Sequence, residues 1–174
     1  MYHTDMLEIV TIGEEVLREK AKPIKSFGSE LRILVDAMFE SMEMDNGIGL
    51  AAPQIAVPKR MFVVHPPDDE ARVFINPEII ETSQEVVSYE EGCLSVPGVF
   101  SEVVRPAGIT IQAQDLEGKA FVLKAQGMLA RVIQHENDHL NGILFVDRLP
   151  EERREQVMKI YEKKQKNKRR KKTV

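Results

Sequence analysis

"RVIQHENDHLNG", residues 131–142, is the stretch on which the reading of this chain turns. Placed on a helix, Met128, Val132, His135 and His139 fall at i, i+4, i+7 and i+11, so the two histidines continue an apolar stripe instead of facing water. Both imidazoles then sit on one side, one turn apart, as a shared metal ion requires. Glu136 is rotated by roughly 100° from His135 and can reach a water at such a metal without being a ligand. This is the HExxH arrangement, in which the glutamate serves as general base. At this composition chance would produce only about 0.01 copies of the pattern. The bland alternative is a pair of core histidines beside a surface glutamate. It leaves each buried imidazole needing a hydrogen-bond partner of its own.

A catalytic metal site takes three protein ligands and keeps one position open, and HExxH supplies two. The candidates for the third are His3, His65, the downstream acids Glu151 and Glu155, and Cys93. Cys93 is the single cysteine of the chain, so an intramolecular disulfide is impossible. A lone cysteine is a buried small hydrophobe, a nucleophile or a metal ligand. Its setting, "YEEGCLSVPG" (89–98), has glycine before it and Leu-Ser-x-Pro-Gly after it. That reads as an irregular turn carrying a functional side chain, which favours Cys93 over the acids.

Further out, "SELRILVDAMFESMEM" (29–44) places Leu31, Leu34, Val35, Met38, Phe39 and Met42 on one helical stripe, with Ser29 as N-cap and Asn46-Gly47 as terminator. "GIGLAAPQ" (47–54), with two glycines and a proline, reads as a loop. Residues 60–65, 72–77, 85–90 and 108–115 are rich in Val, Ile and Phe and read as strands, and "EGK" (117–119) turns the last of them into 120–125. A helical period starts at Ala125, and Asn141-Gly142 ends it; the segment from Pro150 onward is again helix-prone. A block of short strands with helices before and after predicts an α+β fold.

The chain has 174 residues, enough for one domain with a real core. Its 43% hydrophobic and 30% charged residues match a soluble globular protein and exclude a disordered one. No apolar run approaches the roughly 18–20 residues needed to cross a bilayer, and "MYHTDMLEIV" resembles neither a secretion signal nor a transit peptide, so the expected place is the cytoplasm with no membrane contact. Eight of the 24 basic residues lie in the last twelve positions (Lys163, Lys164, Lys166, Lys168, Arg169, Arg170, Lys171, Lys172). The remaining 16 face 28 acidic ones, so a body of −12 carries a tail of +8. Such a tail attracts nucleic acid in a salt-dependent way, or is simply a solvated terminus.

Three stretches in this order, "GIGLAAPQ" (47–54), "EGCLS" (91–95) and "QHENDHLNG" (134–142), resemble peptide deformylases, with the likeness running over residues 5–150. The resemblance implies antiparallel β-sheets packed around a central HExxH helix, a single catalytic domain over residues 1–150, and a helical extension with a basic tail over 151–174. It implies hydrolysis of the formyl group from N-formyl-methionyl peptides, releasing formate. Cys93, His135 and His139 would bind the metal, with Glu136 as base and then acid. Gln54 and the backbone N–H of Leu94 would hold the formyl oxygen, and the Gly49 backbone would bond the peptide. Gly47, Ile48, Met128 and Val132 would line the pocket for the methionine side chain. The implied metal is Fe2+, for which Zn2+, Ni2+ or Co2+ can substitute, and the implied partner is the ribosome, met through the basic C-terminal helix. One position departs: Phe100 stands where many relatives carry an arginine that helps hold the peptide, whereas Arg105 matches a basic position seen in relatives. The rival readings are an HExxH zinc peptidase with a downstream acid as third ligand, and a non-enzymatic RNA-associated protein whose tail does the work.

Overall fold

The apolar run Met61–Val64 forms the middle of the architecture in the computed structural model, which describes residues 7–172. All four of its side chains are buried. Successive strand residues point to opposite faces, so both faces of this strand must be covered. It is β2 of a five-stranded antiparallel sheet ordered β1-β2-β3-β6-β7, with β1 Gly49–Ala51, β3 Arg72–Thr82, β6 Gly108–Gln114 and β7 Ala120–Gln126. Met61 and Val63 pack with Val35, Met38 and Met42 of helix α1 (Ser29–Met44). Phe62 and Val64 pack with Phe74, Ile111 and, from helix α2 (Gly127–Leu140), Ile133 and Leu140. The sheet is thus sandwiched between two helices, and α2 lies on the face opposite α1.

A second sheet is the antiparallel hairpin of β4 (Val86–Cys93) and β5 (Val96–Pro106). Its ladder pairs Val86 with Pro106 and ends with Cys93 opposite Val96, after a bulge between Glu91 and Cys93. Arg131 of α2 donates to Val103 O (2.9 Å) on β5 and to Val87 O (2.7 Å) on β4. The HExxH helix is therefore held between both sheets, and the α+β expectation holds. Helix α3 (Glu151–Lys172) lies on β5: Val157 and Tyr161, one turn apart, are buried with Val96, Val99, Val103, Phe145 and Leu149. Beyond Tyr161 the helix is largely exposed, and Lys164 Nζ donates to Gly98 O at 2.5 Å. Among the described residues no helix is long and apolar enough to cross a membrane.

Strand β5 was not expected from the sequence. Pro97 and Gly98 open it, and its inward positions include Ser101 and Arg105 beside Val99 and Val103, which hides the alternation. The expected loop 47–54 contains β1 and a 3-10 turn, Ala52–Ile55. Strand β3 runs past Pro77 because Asn76, at φ +50°, sits at a bulge, with its amide bonding both Ile24 N and Ile24 O at 2.8 Å. Helix α1 is capped by Gly28, one residue before the expected Ser29. Helix α2 begins at Gly127, because β7 continues to Gln126.

Candidate active site

Three elements converge beside α2. The end of β4 brings Cys93, α2 itself brings His135 and His139, and the 3-10 turn after β1 brings Gln54. Ligand-capable atoms of Cys93, His135 and His139 all lie within 4.8 Å of one another. Cys93 Sγ is 3.4 Å from His139 Nε2. A tetrahedral ion with bonds of about 2.3 Å to sulfur and about 2.0–2.1 Å to nitrogen sets those atoms about 3.5 Å apart, so the donor set fits a divalent metal.

Glu91, behind His135, decides which nitrogen that ring presents. Its Oε1 lies 2.9 Å from His135 Nδ1. An ionised carboxylate only accepts, so Nδ1 carries the proton and Nε2 keeps its lone pair for the metal. Glu91 also accepts from Arg105 Nε (2.6 Å), Arg105 Nη2 (3.0 Å) and Arg131 Nη1 (2.6 Å). Arg105 Nη1 donates onward to Asp138 (2.9 Å), which Arg148 holds from outside at 3.0 and 2.7 Å. Burial alone would raise the Glu91 carboxyl, but hydrogen bonds from His135 and Arg105 outweigh it and bring the pKa to about 2. His135 is likewise pushed down by burial and carried well above its ordinary value by Glu136, Cys93 and Glu91, a field that favours a cation at this point. Burial, with His135 next, holds His139 well below its ordinary value, in the neutral form a metal ligand needs.

Glu136 lies on the cavity side. Burial, assisted by Glu91 and Asp138, raises its pKa to about 7 against the opposing His135 and Arg105. Its Oε1 is 3.9 Å from His139 Nε2, and among the described residues neither that oxygen nor His139 Nδ1 has a hydrogen-bond partner. Gly49 is packed against the same carboxylate: a Cβ there would lie 2.4 Å from Glu136 Oε2 and 2.8 Å from Val132 Cγ1. Any side chain at 49 would displace the base. Gln54 is anchored by Ala51 N–H on its Oε1 (2.9 Å), which aims its Nε2 at Ser95 Oγ (3.2 Å) and Cys93 Sγ (3.6 Å).

A cavity of about 490 Å³ opens in front of these groups. Gly47, Ile48, Gly49, Gln54, Cys93, Leu94, Met128, Val132, His135 and Glu136 all line it, with His139 buried behind. Every residue expected at the site is brought together. The other candidates for the third ligand are elsewhere: the His65 side chain is 40% exposed at 4.0 Å from Glu43, and Glu151 and Glu155 lie exposed on α3, so among the described residues neither of these acids joins the histidines. His3 lies outside the described residues. The roles of Glu91, Arg131 and Asp138 were missed. A signal existed on α2, since Arg131 and Asp138 stand at i−4 and i+3 from His135, on its own face.

The chain matches the family described as polypeptide deformylase over residues 6–155. It is 46% identical to a peptide deformylase of Afipia carboxidovorans, covering 90% of this chain and 94% of that protein. It is 44% identical to one from Treponema pallidum, covering 89% and 95%. Among solved structures, a plant peptide deformylase superposes with a TM-score of 0.88 at 37% identity, covering 100% of this chain and 96% of that one. A peptide deformylase of Ehrlichia chaffeensis in complex with actinonin superposes with 0.87 at 41% identity, covering 91% and 97%.

Proposed function

The chain belongs to the peptide deformylase family, hydrolases that remove the formyl group from the N-terminal methionine of newly made polypeptides, and we propose that Cys93, His135 and His139 hold the metal for this reaction with Glu136 as its base. The observation that carries the assignment is the Cys93–His139 approach of 3.4 Å beside a His135 whose Nδ1 is tied to Glu91. A divalent cation held there supplies Lewis acidity toward water and the formyl carbonyl. Glu136 takes the proton of the attacking water and later delivers it to the departing amine. Burial raises this carboxyl above the ordinary carboxylate range, the direction that suits a group which first accepts and then donates a proton. The Gln54 amide and the Leu94 N–H receive the formyl oxygen as charge builds on it; such a donor contributes roughly 3–4 kcal/mol.

The backbone of Gly49 pairs with the peptide, while its missing Cβ leaves Glu136 and Val132 in place. Gly47, Ile48, Met128 and Val132 take the methionine side chain, worth about 1–3 kcal/mol per methylene in discrimination. Formyl is selected over larger acyl groups because it carries only hydrogen where they carry carbon.

The metal in cells is ferrous iron, with zinc, nickel or cobalt able to substitute. Raw affinity favours zinc over ferrous iron at a given site, so occupancy follows supply. Residues 1–150 act as the catalytic domain. Residues 151–174 act as an extension whose cations meet the ribosome, in the cytoplasm where nascent chains emerge. The test is formate release from formyl-Met-Ala-Ser by anaerobically purified protein, with metal analysis. Cys93→Ala is expected to lose both metal and turnover; retention of both would remove the proposed site. The iron form, with its thiolate ligand, is expected to lose activity in air, and stable activity through prolonged aeration without reductant would contradict the iron assignment.

A further inference from the structure

The two groups assigned to the formyl oxygen come from sheets that share no ladder. Gln54 lies on the 3-10 turn after β1 of the five-stranded sheet, and Leu94 lies between β4 and β5 of the hairpin. No strand pairing therefore sets the distance between them. Among the described residues, no backbone hydrogen bond runs directly from the Gln54 turn to the Cys93 turn either. Their side chains do meet, since Gln54 Nε2 donates to Ser95 Oγ at 3.2 Å.

Both turns are bonded instead to one segment outside them. Val10 N–H donates to Gln54 O and Ile12 N–H donates to Ser95 O, each at 2.8 Å. The first acceptor belongs to the residue whose amide lines the cavity, and the second belongs to the residue directly after Leu94. The donors are two residues apart, and two residues of extended chain span at most about 6.6–7.2 Å. Planar peptides leave that span little freedom, so the two carbonyls are held at a fixed separation. The segment is anchored on either side. Leu7 and Ile9 pack against the cluster of Val35, Met38 and Ile55, and Ile12 packs against that of Val96, Leu144 and Phe145.

We propose that residues 7–12 form a strap in which Val10 and Ile12 are positioning residues: their backbone amides set the Gln54 side chain and the Leu94 N–H at the separation that the formyl oxygen needs. This rests on the reading of Gln54 and Leu94 as the donors to that oxygen. Charge builds on the oxygen only as the bond to water forms, so displacing a donor lowers turnover while the peptide still binds.

The experiment replaces one amide N–H at a time by an ester oxygen, incorporating the α-hydroxy acid counterpart of Val10, Thr11 or Ile12, so that every side chain is kept. kcat and KM are measured with formyl-Met-Ala-Ser, together with metal content. The ester at Val10 or Ile12 is expected to lower kcat about tenfold, with KM within about twofold and metal content unchanged. The ester at Thr11, whose N–H meets neither carbonyl, is expected to leave kcat within about twofold. In the Gln54→Ala background the ester at Val10 should have no further effect, because the group it acts through is gone. An equal loss in that background overturns the proposal, and so does a loss of metal together with turnover, which makes the segment a general support of the fold. Unchanged kcat for both esters beside a slow Gln54→Ala overturns the strap alone. Full turnover by Gln54→Ala itself overturns the donor reading, and the strap with it.

Discussion

The buried cluster behind His135 and the outer half of α3 both concentrate charge, and they use it in opposite ways. In the cluster, Glu91, Arg105, Arg131 and Asp138 are all buried, and hydrogen bonds from guanidinium to carboxylate join them end to end. On α3, eight cations follow Tyr161 on a helix that faces water. Burial makes each charge in the first region dependent on its partner, because an uncompensated ion in a low-dielectric interior is strongly disfavoured. Exposure leaves the charges of the second region screened by water and salt, with individual contacts such as Lys164 Nζ to Gly98 O. Charge density alone therefore does not mark a binding surface. Burial separates a scaffold that orients the His135 ring from a run of solvent-facing cations.

Glu91→Ala should break this contrast hardest. It removes the carboxylate that Arg105 and Arg131 share, leaving Arg131 with carbonyl partners alone and Arg105 with Asp138, and frees His135 to rotate, so we expect a loss of about 3–5 kcal/mol in denaturant unfolding. Metal affinity should fall by roughly 10- to 100-fold, read by competitive chelation. A loss under about 1 kcal/mol would show that the cluster is not the scaffold described. Val157→Ala comes next. It probes the apolar footing of α3 on β5, and roughly 2 kcal/mol should be lost in the same unfolding measurement, with metal content unchanged. Arg148→Ala removes only the outer, half-exposed holder of Asp138 and should cost about 1 kcal/mol or less. Deleting residues 163–174 should leave stability within about 0.5 kcal/mol and formate release intact, yet abolish salt-sensitive ribosome association in sedimentation. Equal ribosome binding by the truncated chain would erase the second half of the comparison.

Much of this was legible in the sequence for reasons of periodicity. The stripe through Met128, Val132, His135 and His139 is a local property of α2, and so is the apolar face of α1. Cys93 was legible because a single cysteine between glycine and Leu-Ser-x-Pro stands out from its turn. What escaped depends on distant partners. Ser101 and Arg105 face inward on β5 because Arg153 bonds the first and Glu91 and Asp138 hold the second, contacts spanning up to 52 residues that no local pattern announces. The Asn76 bulge likewise depends on Ile24, 52 residues earlier. Gly49 could be read as a loop glycine, but its packing against Glu136 needed the third dimension.

The β4–β5 ladder has a consequence for how such a chain can vary in length. Cys93 faces the histidines because the pairing from Val86–Pro106 onward sets its side, and between Glu91–Ser101 and Cys93–Val96 strand β5 takes five steps against two on β4, an irregularity of three extra residues on β5. Inserting or deleting a single amino acid in β4 between Val86 and Glu91 would turn the sulfur to the far side of the sheet. Indels among related chains should therefore collect at the Gly118 turn or after Tyr161, while the spacing from Val86 to Cys93 stays constant.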